Sequence, residues 1–340
     1  MASLTKWTLR ALVASCAIGP VGCRAPERPG ARAPLVVVAS YDLPREPRSR
    51  ELSAISWDAP TRRLFAIADD EPIIVPLVPS DDYRVWTIGE AIAVSVPGPW
   101  DGEGLVATET GFLLANEAGP HVYEIDRAGH FRGEIPIPAH YAKATTNASL
   151  ESLTRSPDGR FLFVANEVAI VGDGPEGTTA RGTVVRILRI DLASKARAEF
   201  AYQTDAIFAA GANGMIGVAE MAAISADELL VLERAYVPSV GNELRVYRTS
   251  LAGAKDVVDV ASLDAATHAL AKTLVFDVAA IEGQNSRSED PSAHGLYPNY
   301  EGLALGPRTA DGRRLLFLVS DDNGRDAQMS RVLVLSLDGM

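Results

Sequence analysis

Short apolar runs of four to eight residues alternate along this chain with polar turn signals such as Ser156-Pro157-Asp158-Gly159 and Thr309-Ala310-Asp311-Gly312. Runs of that length between such punctuators predict β-strands rather than helices. The strongest runs share one form. Phe112-Leu113-Leu114-Ala115-Asn116-Glu117, Phe161 to Glu167, Leu229 to Arg234 and Leu315 to Asn323 are each apolar and lead into acid or amide, with Arg234 directly after Glu233 in the third. Each follows a short segment centred on a glutamate: Gly102-Glu103-Gly104-Leu105, Leu150-Glu151-Ser152-Leu153, Ala219-Glu220-Met221-Ala222 and Tyr300-Glu301-Gly302-Leu303.

The unit therefore has a fixed grammar. A Glu-containing strand comes first, then the strongly apolar strand, then a third ending in a polar turn (Val122–Asp126, Val184–Asp191, Leu244–Tyr247, Val332–Asp338). A weaker fourth strand is predicted near Glu134–Pro138, Ala198–Tyr202 and Asp256–Val260. An earlier unit, Leu52-Ser53-Ala54-Ile55 followed by Leu64 to Glu71, keeps the acids of the second strand (Asp69, Asp70) and has Ser53 in place of the glutamate. Four strands per repeated unit predict an all-β fold, a β-propeller. Five blades are counted directly. A sixth has room only within 261–299, where a short helix (Ala265–Lys272), a strand (Thr273–Val278) and a polar loop (Gln284–Pro298) are predicted. The last unit stops after its third strand, so Leu35–Ala39 is expected to supply the fourth and close the ring.

The chain has 340 residues and a formal net charge of −12. That acidity argues against nucleic acid as a partner. Both cysteines, Cys16 and Cys23, lie in an N-terminal segment with basic Lys6 and Arg10 followed by small apolar residues, Ala11 to Gly22, too few to span a bilayer. Residues 1–22 read as an export signal of lipoprotein type and residues 23–34 as a tether before a domain over 35–340. Val13-Ala14-Ser15-Cys16 fits a lipobox better, Cys23 leaves the better apolar length, and ordinary secretion is the rival reading. The expected location is the cell envelope or outside the cell, with any membrane attachment made through the lipid on Cys23 or Cys16. A monomer is expected.

In a propeller the first strand of each blade lines the central channel. Glu103, Glu151, Glu220 and Glu301 are thus expected to ring one mouth. Adjacent strands run antiparallel, so Glu117, Glu167, Glu233 and Asp321 with Asp322, which end the second strands, are expected at the same mouth. So many carboxylates in one funnel must be protonated or neutralised by cations or arginines. Oxygen-rich sites of this kind suit Ca²⁺ and, less well, Mg²⁺; Asn116, Asn166, Asn299 and Asn323 add neutral oxygens. Arg234 either neutralises the ring or binds an anion such as phosphate, and Arg186 and Lys272 are further cationic candidates. Acids at strand ends also commonly accept hydrogen bonds from turns, a structural role open to any single copy. The five histidines have no zinc-site spacing, and neither a GxSxG nucleophile elbow nor a phosphate-cradling P-loop is present. Gly172–Gly177 lacks EF-hand spacing and reads as a connecting loop.

Four separated blocks carry a resemblance. They are Asn147–Leu153 with Ser156–Arg160, Leu230–Tyr236, Asn299–Pro307 and Asp311–Asn323. In that order they resemble the phytase-like family described as having esterase-like activity of phytase, over roughly residues 48–337. Ser152 and Met221 depart from the glycine expected after the acid. The resemblance implies a secreted or surface propeller that hydrolyses phosphoesters or esters, and it points to Glu103, Glu151, Glu233, Arg234, Glu301, Asp321 and Asn323. The expected mechanism is Ca²⁺-dependent hydrolysis of a small phosphomonoester with Glu301, Glu151 and Arg234 at the reacting centre and Glu103, Glu117, Glu167, Glu220, Glu233, Asp321, Asp322 and Asn323 around the ion. The rival is a non-catalytic envelope binding propeller or a lactonase-like metal hydrolase.

Overall fold

The computed structural model describes residues 35–143, 148–263, 269–281, 298–326 and 328–338. The first strand, β1 (Val36–Asp42), belongs to the last blade. Blade 1 is β2 (Leu52–Asp58), β3 (Arg63–Ala68), β4 (Ile73–Pro79) and β5 (Trp86–Ile88), with β6 (Ile92–Ala93) also paired to β4. Blade 2 is β7 (Gly102–Ala107), β8 (Gly111–Asn116), β9 (His121–Asp126) and β10 (Phe131–Glu134). Blade 3 is β11 (Leu150–Arg155), β12 (Phe161–Asn166), β13 (Val184–Asp191) and β14 (Arg197–Gln203). Blade 4 is β15 (Met215–Ala223), β16 (Glu228–Val237), β17 (Gly241–Ser250) and β18 (Lys272–Asp277). Blade 5 is β19 (Asn299–Arg308), β20 (Arg314–Asp321), β21 (Arg331–Leu337) and β1, antiparallel throughout.

The five sheets form a five-bladed propeller. The inner strands meet in the order β2, β7, β11, β15, β19 and back to β2. Each sheet packs on both faces, so its middle strands are apolar at nearly every position rather than at alternate ones. Five hydrophobic layers fill the gaps between blades. Phe65 meets Phe112 edge-on at 5.0 Å between blades 1 and 2, and Trp86 meets Phe317 at 5.5 Å between blades 1 and 5.

Closure follows the sequence pattern: β1 pairs with β21 from Val36 opposite Ser336 to Asp42 opposite Arg331. Pairing the two ends within one sheet removes an exposed edge. No sixth blade forms among the described residues. The strand predicted at Thr273–Val278 is β18, the outer strand of blade 4, whereas 256–260, predicted for that role, is turn and loop. Lys272, predicted to end a helix, instead begins β18; the rest of that helix lies largely outside the described residues, as do most of the loop at 284–298 and the expected leader and tether. Among the described residues no helix is long and apolar enough to cross a membrane.

Candidate functional site

Every inner strand carries a β-bulge near its start. The register shifts fall between Leu52 and Ala54, Gly102 and Gly104, Leu150 and Ser152, Val218 and Glu220, and Tyr300 and Gly302. A bulge inserts one unpaired residue and re-aims its side chain. The bulged residues are Ser53, Glu103, Glu151, Ala219 and Glu301. The partner strands set a second tier. Leu52, Gly102, Leu150, Val218 and Tyr300 lie opposite Ala68, Asn116, Asn166, Glu233 and Ser320. The next residue in each blade is Asp69, Glu117, Glu167, Arg234 or Asp321. A third tier lies just before the bulges, where the carbonyls of Glu51, Asp101 and Ser149 accept from the amides of Asp69, Glu117 and Glu167.

These tiers correct the expectation for blade 4. Glu220 is one residue past the bulge, where blades 2 and 5 have glycine, and it does not join the ring. Its Oε1 accepts from Ser152 Oγ (2.8 Å), Leu153 N (3.1 Å) and Met221 N (2.8 Å), deeper in the channel. Glu233 is one residue short. Its carboxylate takes the Tyr202 hydroxyl at 2.5 Å and Asp205 N at 2.8 Å, and it pairs with Lys272, all at the junction of blades 3 and 4. A one-residue offset in a strand moves a side chain to the opposite face, so both acids leave the mouth together. Blade 4 gives the mouth Gly217, Ala219 and Arg234 instead.

Arg234 is the cation of the mouth. Its Nη2 lies 2.9 Å from Glu167 Oε1, 3.4 Å from Glu301 Oε1 and 3.8 Å from Glu151 Oε1, and Nη1 donates to Asn299 Oδ1 at 3.3 Å. Asn299 Nδ2 in turn donates to Glu301 Oε1 at 2.9 Å. The guanidinium is thus surrounded by carboxylates; of the two roles open to it from sequence, neutralising the ring is the one this geometry displays. Gly217 permits the approach: a Cβ there would lie 2.4 Å from Glu167 Cγ and 2.8 Å from its carbonyl oxygen.

Among the described residues no guanidinium is enclosed by the acids of blades 1 and 2 in this way; the nearest cation in blade 1, Arg50, pairs with Asp322. Asp101, Glu103 and Glu117 place one oxygen each within 4.8 Å of one another, as do Glu51, Asp69 and Asp70. One Glu117 oxygen also takes the Ser149 amide. No lysine or arginine among the described residues pairs with Asp69, Asp101, Glu103 or Glu117. Burial, then the charges of Glu301 and Asp69, raises the Glu103 carboxyl well above its usual range. Burial pushes Glu117 up to about 7, and Asp69 to about 7 with help from Asp321. Burial and then Glu301 push Asp321 up to about 8. Glu301 is pushed up by burial to about 7, with Arg234 opposing. Burial and then Glu103 raise Glu151 well above its usual range. Burial lowers the basicity of Arg234, but Glu301, Glu167 and Glu151 outweigh it and raise its pKa.

Other residues singled out by sequence fill structural roles. Asp322 accepts from Glu51 N (3.1 Å) and Gly324 N (3.2 Å) and pairs with Arg50 at 3.2 Å. Asn323 donates its backbone amide to Asp321 and its side chain to Gln328. Asn116 holds the loop before β7 through Asp101 N and Pro99 O and also donates to Ala118 O, while neither side-chain polar atom of the buried Asn166 has a partner among the described residues. Arg186 is locked between Asp173 and Glu199, and Lys272 between Asp205 and Glu233. Asp101 was not singled out from sequence, and Asp69 only as a repeat mark. Asp101 was legible as the residue two before the repeated glutamate, the place held by Glu51 in blade 1 and Asn299 in blade 5.

The family described as Phytase-like, esterase-like activity of phytase, matches residues 47–324. The chain belongs to that phytase-like family. No curated protein matches it. Among solved structures, the phytase-like chain is similar to a PQQ-bound aldose sugar dehydrogenase from Streptomyces coelicolor at 12% identity and TM-score 0.44, covering 92% of this chain and 100% of that one. It is similar to an endo-arabinase from Bacteroides thetaiotaomicron at 10% identity and TM-score 0.47, covering 85% and 94%. A periplasmic gluconolactonase from Pseudomonas aeruginosa matches at 13% identity and TM-score 0.36, covering 84% and 85%. Likeness at this level carries no argument about activity. The phytase-like mouth described above rests on its own geometry.

Proposed function

We propose that this phytase-like propeller hydrolyses small phosphomonoesters outside the cytoplasm with a divalent cation, Ca²⁺ before Mg²⁺, held at the carboxylate mouth. One observation carries the reading. Arg234 offsets the acids of blades 3 and 5, whereas Asp69, Asp101, Glu103 and Glu117 of blades 1 and 2 have no cationic side chain among the described residues. Their oxygens are hard donors, which fits Ca²⁺ or Mg²⁺ and not a thiophilic metal.

Asp101, Glu103 and Glu117 would hold the ion, with Asp69 and Asp321 beside them. When bound, such an ion polarises a phosphoryl oxygen and makes a coordinated water more acidic. The chain's own part is positioning and proton transfer. Arg234 and Asn299 fix Glu301 through Oε1, leaving Oε2 to take a proton from the attacking water. The water oxygen bonds to phosphorus, the ester P–O bond breaks, and the leaving oxygen takes a proton back. Glu151, whose Oε1 lies 3.8 Å from the same guanidinium nitrogen, bounds the substrate. Arg234 orients these two acids and keeps like charges together at one mouth.

The test is hydrolysis of p-nitrophenyl phosphate by the purified chain with Ca²⁺ and with a chelator, alone and as Glu301→Gln. Loss of turnover in both the chelated protein and the variant supports the proposal. Turnover that survives both sinks it. Turnover of carboxylic or lactone esters alone favours the lactonase-like rival, and binding without turnover favours a binding propeller.

A further inference from the structure

The carboxylates occupy the mouth formed by the starts of the inner strands. The ends of the same strands form the opposite mouth, a cavity of about 360 Å³. Its size falls in the range of small-molecule pockets. Each blade contributes one apolar side chain to its floor: Ile55, Leu105, Leu153, Met221 and Leu303. The polar side chains that line it, Ser56, Trp57, Thr154, Arg155, Ser156 and Arg314, can all donate a hydrogen bond, and no carboxylate is among them.

Ser56 Oγ accepts from Ala107 N at 2.9 Å and Thr154 Oγ1 from Ala223 N at 3.1 Å. A hydroxyl that accepts still has its proton to donate, and neither proton has an acceptor among the described residues. Two arginines line the same cavity. Arg155 donates Nε to Gly159 O at 2.8 Å, and no carboxylate pairs with its terminal nitrogens among the described residues. Arg314 makes no side-chain hydrogen bond or ion pair among them. It also lies directly opposite Arg308 in the β19–β20 ladder, and like charges so placed destabilise a sheet. Burial and then the charge of Arg308 lower the Arg314 pKa.

The acids in the flanking turns are already engaged. Asp58 takes Arg127 at 3.0 Å and Thr61 at 2.5 Å, Asp158 takes Ser156 at 2.5 Å, and Asp311 takes Thr309. In a chain of net charge −12, two arginines with no counter-ion over an apolar floor are out of keeping unless an anion joins them. We propose that this mouth binds a small organic anion, its acidic head on Arg155, Arg314 and the two hydroxyls and its short apolar body on the floor. The site is independent of the chemistry at the carboxylate mouth.

Calorimetric titration of the intact chain with octanoate, octan-1-ol and inorganic phosphate tests it. Octanoate is expected to bind at one site, about tenfold or more tighter than either comparator, because only it satisfies both the charged donors and the floor. Arg314→Met and Arg155→Met are each expected to weaken octanoate by about tenfold, while Glu301→Gln at the far mouth leaves it unchanged. The preference of the unaltered chain reads the proposal even if a variant fails to fold. No octanoate binding at millimolar concentration, equal binding of all three probes, or binding indifferent to both arginine variants would overturn it.

Discussion

Arg234 Nη2 and Glu167 Oε1 stand 2.9 Å apart, and the two residues hold the same place in neighbouring blades. One blade offers a guanidinium where four offer acids, so the repeat itself builds the ion pair. Removing Arg234 leaves Glu151, Glu167 and Glu301 buried and uncompensated. Breaking a buried pair in this way costs about 3–5 kcal/mol. Arg234→Met is expected to lower stability by that order in urea unfolding, and Arg234→Lys to recover only part, because a single ammonium cannot replace the guanidinium fork.

Stability of the cation-free chain is expected to fall as pH rises. Asp69 and Glu117 are pushed up to about 7 and Asp321 up to about 8, from ordinary values of 3.8 for aspartate and 4.5 for glutamate. Between those limits the folded state binds more protons than the unfolded one, so the slope of stability with pH is negative. Their contribution is full at the acidic end, below the ordinary values, and is lost as pH passes through 7 to 8. Thermal melts in chelator at intervals of pH check this. Added Ca²⁺ should flatten the decline, since it binds the ionised mouth.

Asp101→Asn and Glu103→Gln are expected to reduce the Ca²⁺-induced rise in melting temperature. Glu220→Gln is expected to leave it unchanged, because Glu220 Oε1 accepts from Ser152, Leu153 and Met221, and an amide oxygen accepts equally well. A thermal-shift titration of the three variants checks the assignment. Equal losses in all three would return Glu220 to the ring.

Gly217→Ala places a methyl group 2.4 Å from Glu167 Cγ. Overpacking of this kind costs about 1–3 kcal/mol. The variant should lose stability in urea and add less to the loss caused by Arg234→Met than it costs alone, because the two share Glu167.

The blades were legible because each repeats an apolar strand between turn signals, and closure because the final unit lacked its fourth strand. The carboxylate mouth was legible from Glu103, Glu151 and Glu301. The composition of blade 4 was not. Ala219-Glu220 and Glu233-Arg234 each offer a glutamate one place from the position that faces the mouth. Side-chain identity favours the glutamate; the bulge, set by pairing between strands, selects its neighbour. The same long-range pairing hid the outer strand of blade 4, since β18 joins β17 only after the excursion from Leu251 to Ala271. Asp101 is marked only by Glu51 and Asn299 at the same place in blades 1 and 5, a repeat that Ser149 in blade 3 and Gly217 in blade 4 interrupt.

The seam between β1 and β21 has a consequence in time. Of the propeller strands, synthesis makes Val36–Asp42 first and Arg331–Leu337 last. Until the last strand emerges, the nascent chain carries an unmatched β-edge, a template for pairing with other chains. The partial exposure of Val36, Val37 and Ala39's neighbour Val38 in the finished molecule shows how little else covers that strand. Pairing of β1 with β21 is the step that ends this exposure.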